Sequence, residues 1–83
     1  MLHILNQPLL AYSPRPNICR GDTILLTSDA CYSWQLFVSE YPHCEVLALA
    51  KDVTARMIDS PLSLISDTEW VELVISANKH ISW

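Results

Sequence analysis

The sequence predicts a small layered α/β fold with a mostly parallel sheet of about four strands. Short apolar runs with β-branched residues recur along the chain, stretches with helical apolar spacing separate them, and capping or proline signals mark the joins. Strands that alternate with helices imply parallel pairing, because each crossover returns the chain to the same end of the sheet. With 83 residues, a single domain over 1–83 is expected.

The first strand is expected over Met1–Leu5. Pro8, Pro14 and Pro16 then leave room for one helical turn at Leu9–Tyr12, since proline lacks an amide proton and restricts the residue before it. Asp22–Thr27 reads as a second strand, and its continuous apolar run suits burial on both faces. Asp29 is placed to cap a following helix whose apolar face would be Ala30, Trp34, Phe37, Val38 and Tyr41, ending at Pro42. Cys44–Leu49 is a third strand, Asp52–Ile58 a short helix, and Leu62–Ile65 a fourth strand. Ser66 and Glu69 have capping-box spacing, and Trp70, Leu73, Val74, Ala77 and Ile81 then form the stripe of a last helix.

Composition bounds the function. A domain this small buries only about 60% of its unfolded surface, yet 51% of its residues are hydrophobic and three are tryptophan. Trp34, Trp70 and Trp83 are therefore candidates for an interface with another chain. The net charge is −4, and Arg15, Arg20, Lys51, Arg56 and Lys79 are scattered, so direct nucleic-acid binding through a basic stripe is not expected. Gly21 is the only glycine, which excludes the glycine-rich loops that cradle nucleotide phosphates. His3, Cys19, Cys31, His43, Cys44 and His80 lack zinc-site spacing, and no metal or cofactor is expected. The stretch MLHILNQPLL has no basic start, and no apolar run reaches the roughly 20 residues of a membrane span, so neither a signal peptide nor a membrane association is expected. Three cysteines without framework spacing suit a reduced, cytoplasmic protein.

The cysteines raise the one question of chemistry. Cys31, near a helix start, is either a thiol activated by the helix dipole or a small apolar residue in the core. Cys19 stands in a polar, proline-rich stretch beside Arg20, where exposure is expected, while Cys44 opens a strand and reads as structural. Helix capping accounts for Asp67 and Glu69.

Four pieces in order, MLHIL, GDTILLTSDA, EVLALAKDVTARMI and NKHISW, together resemble the TusB/DsrH family, small subunits of bacterial sulfur-relay complexes. The matching positions are Met1-Leu2-His3, Gly21-Asp22, Asp29, Ala48-Leu49, Asp52, Ala55-Arg56 and Trp83. Ala30 stands where members commonly have glycine, and prolines interrupt the segment that usually holds a first helix. The resemblance implies a non-catalytic role beside homologous TusC-like and TusD-like subunits in a dimer of heterotrimers. Such a complex passes persulfide sulfur towards the 2-thio group of the tRNA wobble uridine, with the sulfur-carrying cysteine on the TusD-like partner. In the sulfur-oxidation branch, DsrH-type subunits can carry their own cysteine ahead of the Gly-led strand. Cys19 is the one cysteine in that segment, though it lies closer to Gly21 than the family's cysteine does. Cys31 matches no sulfur-carrying position, which favours packing. A self-associating adaptor without a sulfur role is the remaining alternative. The segment Lys79 to Trp83 is expected to be ordered, with its indole packed on its own domain or in an interface.

Overall fold

The computed structural model describes Met1–Trp83. Five strands, β1 (Leu2–Leu5), β2 (Thr23–Leu26), β3 (Glu45–Leu49), β4 (Ser63–Ile65) and β5 (His80–Ser82), pair in the order β4-β3-β2-β1-β5. Every pairing is parallel. Three α-helices, α1 (Trp34–Glu40), α2 (Ala50–Ala55) and α3 (Asp67–Ser76), and 3-10 helices at Leu9–Ala11 and Ser28–Ser33 supply the connections.

Strand alternation sorts the apolar side chains onto two faces. Leu5, Ile24, Leu26 and Ala48 point to one face, where Leu9, Ala30, Cys31, Phe37 and Val53 from the 3-10 helices, α1 and α2 close over them. Leu2, Leu25, Leu49 and Ile65 point to the other, where α3 alone lies, contributing Trp70, Leu73 and Val74. The chain forms three layers, with the sheet in the middle.

Four expectations are corrected. Ile81 leaves the helical stripe: α3 ends at Ser76, and Ile81 lies in β5 opposite His3. The physical reason is the edge of β1, whose backbone groups gain partners when Lys79 O accepts from Leu2 N–H and Trp83 N–H donates to Ile4 O. Asp29 does not cap a helix; a 3-10 helix intervenes, and its carboxylate pairs with Arg56. That 3-10 helix, with three residues per turn, also shifts the phase of the apolar face. Phe37 is fully buried while Val38 is 40% exposed. Finally, Cys44 lies in the turn just before β3, which opens at Glu45.

The capping box is present as expected: Ser66 Oγ accepts from Glu69 N–H at 3.1 Å and Glu69 Oε1 from Ser66 N–H at 3.0 Å. No helix is long and apolar enough to cross a membrane.

Candidate functional site

The three thiols occupy three environments. Cys31 is 1% exposed, and its Sγ–H donates to Leu26 O at 3.5 Å. Burial, reinforced by the Asp52 carboxylate, pushes its thiol up to about 11. A nucleophilic thiolate is therefore withheld near neutral pH, and the position at the head of a strand-to-helix turn serves packing. Cys19 is exposed, and Cys44 is half-buried with its Sγ–H donating to Cys19 O at 3.2 Å.

Two polar networks hold residues that lie far apart in sequence. In the first, His3, buried on β1, faces Asp22 at the head of β2, with Nε2 2.9 Å from Oδ2. The Trp83 indole N–H donates to His3 Nδ1 at 3.0 Å, and the rings stack with centroids 6.0 Å apart. Since an indole N–H only donates, Nδ1 must accept and Nε2–H must donate to Asp22, which assigns the neutral Nε2–H tautomer. The hydrogen bond from His3, aided by the Met1 ammonium at 3.2 Å and by Cys19 N–H, holds the Asp22 carboxyl below the usual carboxylate range. In the second, Arg56 reaches Asp29 Oδ1 through Nε and Nη2, each at 3.1 Å, and Asp52 Oδ1 through Nη1 at 3.6 Å. The other Asp52 oxygen accepts from Ser28 N–H at 2.8 Å. That contact secures Ser28 in the left-handed region, at φ 49.

The sheet has one topological switch. The connections after β1, β2 and β3 step along one side, whereas the α3 connection crosses back to set β5 on the other side of β1. A crevice at the carboxyl ends of the strands is expected there. A cavity of about 320 Å³ occupies it, lined by Ile4, Asn6, Lys51, Trp70 and Trp83 among others. Trp70 Nε1 is buried without a hydrogen-bond partner. Of the three tryptophans expected at an interface, the structure brings Trp70 and Trp83 together at this cavity. Trp34 lies on the opposite face, half-buried against the larger cluster. Trp83 is 37% exposed, and Trp70 packs against the smaller cluster.

Beyond the tryptophans, α3 presents an apolar flank that its sequence stripe did not single out. Val71 and Ile75 are 55% and 77% exposed. With Trp70 and Val74 they line a concavity of about 230 Å³ with only apolar side chains. The run VELVIS carries the signal, because apolar residues flank Glu72 on both sides. No three His, Cys, Asp or Glu side chains come together as a metal-ligand set.

No protein-family model matches the chain, and no curated protein matches it.

Proposed function

We propose that this protein is a non-catalytic structural subunit of a cytoplasmic TusBCD-type sulfur-relay complex. It would help relay persulfide sulfur for 2-thiouridine formation at the tRNA wobble position. One observation carries the reading. Six of the residues behind the TusB/DsrH resemblance have polar side chains or close the fold, and all six fall into the two networks: His3, Asp22 and Trp83 in one, Asp29, Asp52 and Arg56 in the other. Asp52 and Arg56 are one helical turn apart, while the other contacts join residues 19, 27 and 80 positions apart. The sealed Cys31 and the exposed apolar flank of α3 are in keeping with a subunit that contributes surface rather than a nucleophile.

The sulfur-carrying cysteine then belongs to a TusD-like partner, and this chain docks on its homologous partners without touching nucleic acid. A second reading, a DsrH-type carrier using Cys19, is favoured by the exposure of that thiol alone.

The test is genetic and chemical together. Deleting the gene lowers tRNA 2-thiouridine, and a variant with Cys19→Ser, Cys31→Ser and Cys44→Ser restores it at normal protein level. Restoration upholds the structural role, and failure with an intact complex favours the carrier. Unchanged 2-thiouridine on deletion overturns the thiouridine reading, and a chain that only self-associates in the presence of TusC-like and TusD-like subunits is an adaptor instead.

A further inference from the structure

The amino ends of β2 and β3 hold the two thiols that are not sealed in the core. Residues 19–22 turn tightly into β2: Asp22 N–H donates to Cys19 O at 3.1 Å, and Asp22 Oδ2 accepts from Cys19 N–H at 3.2 Å. The turn before β3 is stitched to this loop by Gly21 N–H donating to His43 O at 3.1 Å. Cys44 Sγ–H then donates to the carbonyl of Cys19 itself.

Those bonds bring the two cysteines close together. Standard carbonyl geometry puts a Cα about 2.4 Å from its own oxygen, so Cys44 Sγ lies at most about 5.6 Å from Cys19 Cα. A cysteine Cα lies about 2.8 Å from its own Sγ, so the two Cα atoms are at most about 8.4 Å apart. A disulfide needs roughly 4.4–6.8 Å, and closing one takes side-chain rotation and, near that bound, a shift of about 2 Å in the exposed loop. Cys44 also lines an open cavity of about 120 Å³ with Arg20 and His43, so its side of the pair is open to solvent. Cys31, buried at the carboxyl end of β2 with its Sγ on Leu26 O, cannot compete.

We propose that Cys19 and Cys44 form an oxidisable dithiol, a modification site for a two-electron oxidant of the peroxide class. The exposed Cys19 sulfur attacks one peroxide oxygen, the O–O bond breaks, and sulfenic acid forms with release of one water. The Cys44 sulfur attacks the sulfenic sulfur, the S–O bond breaks, and a second water leaves as the S–S bond forms. Two thiols are oxidised and one peroxide is reduced to two waters. The cross-link joins the loop before β2 to the turn before β3 and consumes the exposed thiol.

The experiment treats the full-length reduced chain with hydrogen peroxide near stoichiometric amounts, blocks residual thiols with an alkylating agent after unfolding, and maps the products by mass spectrometry. The expected product is a monomer lighter by two hydrogens, with a Cys19–Cys44 linked peptide and Cys31 alkylated. Its Tm rises by several degrees and returns on reduction. Cys31→Ala keeps the product; Cys44→Ala abolishes it and leaves Cys19 sulfenic acid that a dimedone probe captures. Over-oxidised Cys19 with Cys44 still reduced, a link that includes Cys31, or only intermolecular dimers would each overturn the proposal. Should Cys44→Ala fold poorly, the linked-peptide map of the unaltered chain decides alone.

Discussion

The two faces of the sheet are built to different standards. One is closed by four short helices over a cluster of nine buried residues, including Phe37, Leu5 and Leu26, all fully excluded from solvent. The other is covered by α3 alone, with a cluster of four, and no residue of α3 is itself buried. An apolar face needs a covering layer, and a five-stranded sheet is wider than one helix, whose diameter with side chains is about 10–12 Å. The difference teaches that stability is concentrated beneath the closed face, while the α3 face is left with apolar surface to offer.

The comparison can be broken or sharpened experimentally. The largest effect is expected for Phe37→Ala, which opens a cavity in the closed layer and should cost about 3–5 kcal/mol in urea denaturation. Leu73→Ala on α3, half-buried, should cost less than half of that; equal losses would mean that the faces do not differ.

Alkaline pH probes the closed face through Cys31. Its thiol sits at about 11 when folded against an ordinary 9.0, so the folded state holds its proton where the unfolded state has lost it. The associated stability is fully present below 9.0 and is lost as pH rises to about 11, a change on the order of 2–3 kcal/mol. Cys31→Ala should remove this part of the alkaline decline, and an identical profile in the variant would refute the burial effect.

A smaller effect is expected for Trp83→Phe, which keeps the stacking on His3 but deletes the N–H donor, at about 1 kcal/mol. The same network has an acid signature. Asp22 is depressed below 3.8, so its contribution is present above that value and fades as pH falls through the lower, folded one. Asp22→Asn should flatten that acid limb in a pH series of unfolding midpoints.

The smallest effect on stability is expected for Val71→Ser with Ile75→Ser, within about 0.5 kcal/mol, because both side chains already face solvent. Loss of binding to TusC-like and TusD-like subunits by this variant, with stability unchanged, would assign the exposed flank to the partner.

Much of the fold was legible because its signals are local. The β-branched runs of β2 and β3, the Ser66–Glu69 box and the proline breaks each act within a few residues. β5 was not, since Ile81 follows Ala77 at helical spacing and only the free edge of β1 makes a strand there. The phase error at Val38 has a different origin. Three-residue and 3.6-residue turns cannot be distinguished from apolar spacing over so short a stretch. Among site residues, the sequence left Cys31 open between an activated thiol and a core residue until burial decided it, and the pairing of His3 with Asp22 depends on strand register, which no local pattern encodes. Arg56 bridging Asp29 and Asp52 joins two connections across the fold and was equally hidden.

The link between His3 and Trp83 spans 80 positions. The pairings of β1 with β2, β2 with β3, and β3 with β4 each close much shorter loops, and loop closure costs entropy that grows with length. Folding is therefore expected to assemble four strands first and add β5 last, at the edge beside β1. By the same ordering β5 should be the first strand to detach, its amides exchanging with solvent deuterium faster than those of β2 and β3. Each detachment bares the hydrogen-bonding edge of β1, so the rate of that fraying governs how often a foreign strand can take β5's place.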